Sequence, residues 1–203
     1  RICKKNNKRI DMIITIARQC GCGAIQLGQL LQQHYNIPLY TRKSLRAMAE
    51  EKGVLSQLDD FFEERPVDAL TFAITSDYSD ASVHLQDKTR NLICNLIGDR
   101  DCIIIGRCGN YIFRDNDGLV SVFLKGDVRA RVKEIMCERG LTEAKARRFV
   151  ENTDDCRLNY HRYYTGLQWG NAADYDLCID NCRIEHVQTA RLIIEYVSAL
   201  GLK

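Results

Sequence analysis

Met12–Gln32 reads MIITIARQCGCGAIQLGQLLQ. Its first six residues are a nearly unbroken apolar run, the pattern of a strand buried on both faces. Gly21 and Gly23 then supply positions that tolerate positive φ. Leu27, Leu30 and Leu31 recur at helical spacing, and Gly28 among them lets such a helix approach a sheet closely. A strand, a glycine turn and a helix in this order place backbone N–H groups and a helix N-terminus just beyond the strand's end. Phosphates are held at such places. A plain strand–turn–helix corner carries similar glycines, so the segment alone leaves both readings open. The phosphate loop G-x-x-x-x-G-K-[ST] also needs a lysine and a hydroxyl, and Ala24, Ile25 and Gln26 stand where they would be sought. Arg18, at the end of the strand, is the nearest cation.

Further apolar segments predict four more short strands at Pro38–Tyr40, Cys102–Gly106, Val120–Leu124 and Asp176–Ile179, the first strand being Ile13–Ala17. Helical patterns lie between and after them at Leu27–His34, Arg42–Lys52, Lys88–Ile97, Arg129–Arg139, Glu143–Thr153 and Glu185–Ala199. Alternation of this kind predicts a doubly wound parallel α/β sheet flanked by helices. The stretch from Gly53 to about Asp87, with Phe61, Phe62 and Phe72, is too long for a simple connection and reads as a helical insertion.

The 203 residues fit one domain with a usable core, and the net charge of +2 gives no electrostatic case for nucleic acid or an anionic membrane. No apolar run is long enough to span a bilayer. Ten cysteines are many, but their C-x-C (Cys20, Cys22) and C-x3-C (Cys178, Cys182) spacings do not match zinc sites, and no metal site is expected. The expectation is a cytoplasmic protein with free thiols, Cys102 and Cys178 being small buried apolar groups. Residues 1–11, RICKKNNKRID, read as a basic extension.

Three further segments offer phosphate chemistry. In CIIIGRCGNYIF, Cys102–Phe113, a buried strand ends at Gly106-Arg107 and delivers a guanidinium to the sheet's C-terminal edge, where ligands of such sheets bind. Its planar fork suits phosphate, although a pairing with a carboxylate is the plainer alternative. Thr153–Gly170, TDDCRLNYHRYYTGLQWG, spaces Asp154, Arg157, Arg162, Tyr163 and Tyr164 three to five residues apart, so that several share a helix face. That face suits nucleotide phosphates or a surface helix stacked on its own rings. Arg42 and Arg46 in Tyr40–Gly53 could hold another phosphate or simply face solvent.

Taken in this order, the four segments resemble the cytidylate-kinase-like family, a branch of the P-loop nucleoside monophosphate kinases. The most specific parts are IIIGRCGNYI, NYHRYYTGLQWG and YDLCID. The resemblance implies a P-loop-type five-stranded parallel sheet within a single domain over residues 12–203. It also implies a helical monophosphate-binding insertion at about 41–90 and a lid at about 140–170. It assigns donor phosphates to Gly21, Cys22, Gly23, Ala24, Ile25 and Gln26, acceptor binding to Arg46, Arg107 and Asp154, and catalysis to Arg157 and Arg162 with help from Arg18. ATP and Mg²⁺ are implied as cofactors, with a nucleotide or small phosphorylated or hydroxyl-bearing acceptor. Family members often read R-E-x-G-S-G-G-R-E-I-G here; this chain has Gln19, Cys22 and Ile25 at the Glu, Ser and Arg positions. Two functions follow: transfer of a phosphoryl group from ATP to a nucleoside monophosphate or similar small acceptor, or a nucleotide-binding sensor without transfer chemistry; a redox- or metal-responsive role for Cys20 and Cys22 is a third, weaker reading.

Overall fold

The computed structural model describes residues 11–63 and 79–203. Most of the basic extension, Phe72 and the middle of the expected insertion lie outside the described residues. The element order is β1 (Ile13–Arg18), α1 (Ala24–Tyr35), β2 (Leu39–Tyr40), α2 (Arg42–Glu51), α3 (Asp59–Phe62), α4 (Ser79–Ile97) and β3 (Cys102–Ile105). It continues with α5 (Gly109–Ile112), β4 (Leu119–Lys125), α6 (Val128–Arg139), α7 (Glu143–Thr165), β5 (Leu177–Asp180) and α8 (His186–Ala199). All five strands run parallel in the order β2-β3-β1-β4-β5. The sheet predicted from the apolar runs is the one observed.

β1 is central because its residues tolerate cover on both faces. Ile14 and Ile16 are fully buried on one side, and Ile13 is buried on the other. With Leu27, Leu31, Ile193 and Val197, Ile14 and Ile16 form the core beneath α1 and α8. Ile13, Ile104, Leu45, Phe62 and Ile97 fill the opposite face under α2, α3 and α4. A third, smaller core joins Cys20 to Val132 and Ile135 of α6 and to Ala146 and Val150 of α7. Because β1 lies between β3 and β4, its carboxyl end opens where chain crossovers diverge to either side, the usual ligand crevice of such a sheet.

Several expectations are corrected. α1 begins at Ala24, three residues before the first leucine of its apolar stripe, because Gly23 adopts a left-handed N-cap conformation at φ 63°. Gly28 does hold α1 close to the sheet: a Cβ there would lie 2.9 Å from Ile105 Cδ1. α7 runs 23 residues, well past the expected end at Thr153, since no glycine or proline interrupts it before Gly166. Cys178 is exposed, not buried, because β5 is an edge strand; Cys102 is fully buried in β3.

α2 starts with a reciprocal capping box in which the Thr41 side chain accepts from Ser44 N–H and the Ser44 side chain accepts from Thr41 N–H. Replacing Thr41 by Ala should cost about 1 kcal/mol in urea unfolding, with Thr41→Ser close to wild type.

Candidate functional site

The turn after β1 is shaped by where its carbonyls go. Arg131 of α6 donates from Nη1 to Cys20 O at 3.2 Å, and Asn181, just after β5, donates from Nδ2 to Cys22 O at 2.7 Å. Cys20 N–H donates to Asp154 Oδ1 of α7 at 2.7 Å. Gln19 accepts from Gly126 N–H through its side-chain oxygen at 3.0 Å. These contacts turn the carbonyls of Cys20 and Cys22 into the protein. The N–H groups of Ala24, Ile25 and Gln26 belong to the first turn of α1 and have no partner within the helix. Gly21 and Gly23 have φ of 82° and 63°, and both are hemmed in. A Cβ at Gly21 would lie 2.6 Å from Arg131 O, and one at Gly23 would strike the His186 ring. The glycines are therefore required by backbone geometry and by crowding from behind.

Asp154 is the hinge of this arrangement. Its Oδ2 takes Arg131 Nη1 at 2.6 Å, and Arg157 Nη1 lies 4.0 Å from its Oδ1. The sequence expectation put Asp154 with the acceptor; the structure puts it against the turn after β1, because α7 continues as one helix and carries residue 154 against Cys20. Arg131 was missed in the sequence. Its signal was an arginine on the core-facing stripe of α6, next to Val132 and one turn before Ile135.

Two recesses meet at the end of β1. One is lined by Arg18 through Gln26 together with Glu134, Glu138, Arg139, Phe149, Thr153 and Arg157. The other is lined by Thr15, Ala17, Arg18, Gly106–Asn110, Arg157, Tyr160, His161 and Trp169. Arg18 and Arg157 border both. A Cβ at Gly106 would collide with Arg18 Nη1, so that guanidinium lies against the end of β3. Arg157 Nη1 donates to Arg18 O at 3.2 Å.

Gly106, Arg107 and Cys108 are three successive left-handed residues, with φ of 74°, 55° and 51°. Two of them are not glycine, a conformation that costs roughly 1 kcal/mol or more each. It drives Arg107 inward: the residue is only 4% exposed, donates from Nη1 to Phe61 O at 2.8 Å and stacks 4.4 Å over the Tyr160 ring. Tyr160 Oη donates to the same Phe61 carbonyl at 2.9 Å. Phe61, Tyr160, Tyr163 and Tyr164 form a chain of ring contacts, so the aromatic residues of the long helix pack largely on one another and on α3.

The structure thus gathers Arg18, Arg107 and Arg157, with the Gly21–Gln26 loop beside them. It does not bring Arg46 or Arg162 to either recess. Arg46 is half-exposed and paired with Glu63 at 2.7 Å and Asp59 at 3.3 Å, since α3 presents its carboxylates to α2. Arg162 is exposed on α7. Ile25 is 43% exposed at the mouth of the loop. Burial pushes the Cys20 thiol up, and a hydrogen bond with Cys182 together with burial pushes up the Cys22 thiol. Both remain protonated at neutral pH and so are poor thiolate nucleophiles. Among the described residues, no helix is long and apolar enough to cross a membrane.

A profile of the cytidylate kinase-like family matches residues 13–183. The chain belongs to this family. The cytidylate kinase of Methanococcoides burtonii is 23% identical over 194 residues, 94% of this chain and 99% of that protein. An uncharacterized protein from Eubacterium ventriosum has a similar solved structure, with a TM-score of 0.71 and 25% identity over 93% of this chain and 99% of that one. The shikimate kinase of Bacteroides thetaiotaomicron shares the fold at a TM-score of 0.54 and 12% identity, over 92% of this chain and 98% of that one. Membership gives the chain a nucleotide-binding kinase fold.

Two measurements test the site. Arg131→Met leaves Asp154 inside the loop without its cation, and should lower unfolding free energy by about 3 kcal/mol. Burial pushes the His161 imidazole down to about 4, with Asp174 opposing only in part. The folded state therefore resists protonation that the unfolded chain accepts near 6.5. The associated stability is complete above pH 6.5 and falls as pH drops toward 4, by up to about 3 kcal/mol. In His161→Gln that part of the acid loss should vanish from unfolding curves measured across the window.

Proposed function

We propose that this chain transfers a phosphoryl group from ATP to a nucleoside monophosphate or a similar small phosphorylated acceptor, in a reducing cytoplasmic setting. The observation that carries the reading is the convergence of Arg18 and Arg157 on the border between the loop recess and the Arg107 recess. Transfer of a phosphoryl group needs positioning and charge neutralisation more than covalent help from the protein.

In this reading the N–H groups of the Gly21–Gln26 segment bind donor phosphates, helped by the positive end of α1. Arg131 and Asn181 hold the loop's own carbonyls away from that anion, and Asp154 fixes the loop through the Cys20 N–H. Arg18 and Arg157 neutralise charge where donor and acceptor meet. Arg107 orients the acceptor's phosphate from the strained turn after β3. The long helix α7 closes water out, and Arg162 reaches the phosphates only through such a closure; Arg46 takes part only if it leaves Glu63. The unpaired N–H groups at the start of α1 suit a polyphosphate, and the loop keeps this path only with glycine at 21 and 23, where a Cβ would meet Arg131 O or the His186 ring. It supplies no side-chain oxygen for Mg²⁺ at Ala24 or Ile25, so any metal there rests on phosphate oxygens and water.

A coupled assay with Mg-ATP and a panel of monophosphates tests this; absence of turnover on all of them by folded protein sinks it. Arg157→Met should lower kcat by about 10²–10³ while binding of a non-hydrolysable ATP analogue changes little. Exposed Ile25, where a cation is usual, favours a second reading: a nucleotide sensor without transfer. Calorimetric binding of the analogue with no turnover would support it.

A further inference from the structure

Cys20 and Cys22 are neighbours in sequence, but their side chains enter different cores. Cys20 packs with Val132 and Ile135 of α6, whereas Cys22 packs beneath α1 and α8. The thiol that Cys22 meets is Cys182, just after β5, which packs against the same core. The two sulfurs share a hydrogen bond, and the Cys182 thiol also donates weakly to Gly21 O at 4.0 Å. Neighbouring contacts hold the pair in register. Asn181 donates to Cys22 O at 2.7 Å, and Cys182 N–H donates to Asp180 Oδ1 at 3.2 Å. A Cβ at Gly126 would collide with Cys182 Sγ, so that sulfur is backed by the end of β4. Both cysteines are free thiols.

The two differ as a reacting and a resolving thiol do. Cys22 is 2% exposed, whereas Cys182 is only partly buried and open to a small oxidant. The hydrogen bond from Cys22 holds the Cys182 thiol below its ordinary value against the effect of burial, and Arg131 acts in the same direction. An accessible thiol of raised thiolate character beside a second thiol is the arrangement of redox-sensing cysteines. We propose that Cys182 and Cys22 are a peroxide-responsive pair that closes a reversible disulfide behind the loop after β1 and so weakens the loop's hold on phosphate.

The Cys182 thiolate attacks one oxygen of hydrogen peroxide and the O–O bond breaks. Sulfur gives up two electrons and becomes a sulfenic acid, while the departing hydroxide takes a proton and becomes water. The Cys22 sulfur then attacks the Cys182 sulfur. The S–S bond forms, the S–O bond breaks, and the hydroxide leaves with the Cys22 proton as a second water. A dithiol reductant reverses the bridge by exchange. Closure shortens a hydrogen-bond contact to a covalent separation of about 2 Å. Cys182 is anchored at Asp180 and Gly126, so the turn between Gly21 and Gly23 gives way and carries the first N–H groups of α1 with it. The effect on phosphate rests on the reading of this loop as the donor cradle; the bridge itself does not.

The test treats the full chain with dilute hydrogen peroxide and maps its unreduced peptides by mass spectrometry. A Cys22–Cys182 bridge should form before any other and disappear with dithiothreitol. Cys22→Ser should instead accumulate a sulfenic acid at Cys182, captured by dimedone. Absence of this bridge in wild type, or a Cys20–Cys22 bridge in its place, overturns the proposal. Calorimetry with inorganic tripolyphosphate reads the consequence. The oxidised chain should bind it about tenfold more weakly than the reduced chain, the worth of one hydrogen bond to a charged group. Cys182→Ser should bind it equally before and after peroxide. Equal affinity of the bridged and reduced wild type overturns the switch. A reduced chain that binds no tripolyphosphate removes the donor-loop reading and the effect on phosphate with it, while the mapped bridge stands.

Discussion

One carboxylate organises the carboxyl end of the central strand. Asp154 accepts from Cys20 N–H, pairs with Arg131 and lies within reach of Arg157, so the loop, α6 and α7 share one partly buried anion. Glycine-rich turns are cheap to deform, and nothing within CGCG favours a single geometry. Here the geometry is imposed from outside. Arg131 and Asn181 take the carbonyls of Cys20 and Cys22, and Arg131 and His186 crowd the two glycines. The donors of the α1 terminus are thereby left facing the crevice.

This scaffold separates two roles that a loop lysine usually combines. The segment from Gln19 to Gln26 carries no basic side chain, so shape comes from the loop and charge comes from its surroundings. Arg18 extends from the strand before it, Arg107 from the turn after β3 and Arg157 from α7. Because Arg157 also touches the Arg18 carbonyl and approaches Asp154, the position of α7 sets the field at the crevice and the posture of the loop together.

A second junction lies beside the end of β3. The Phe61 carbonyl accepts from both Arg107 and Tyr160, joining the insertion, the turn after β3 and α7 at a single oxygen. Stacking of Arg107 on Tyr160 adds a desolvated cation–π contact worth roughly 2 kcal/mol. The strain of the left-handed residues at 106–108 is thus balanced by contacts that Arg107 makes only when turned inward.

The sheet was legible because strands covered on both faces must be continuously apolar, and IITIA, CIII and LVSVFL have that pattern at separations that demand crossover helices. The glycine turn, Arg107 and Arg157 could be named because each stands at a strand end or on a polar helix face. Arg131 and Asn181 could not, since each is a lone polar residue within or beside an apolar pattern and acquires meaning only from a partner far away in the chain. Asp154 was visible as a candidate, but with the wrong neighbours: local spacing cannot tell that α7 runs unbroken to Thr165 and lays residue 154 against residue 20. The sequence by itself determined the layers, the strand identities and the place of the crevice, because these follow from periodic burial. Only the tertiary structure decided which charges meet there, because that depends on the lengths and packing angles of α6 and α7, which no local pattern encodes.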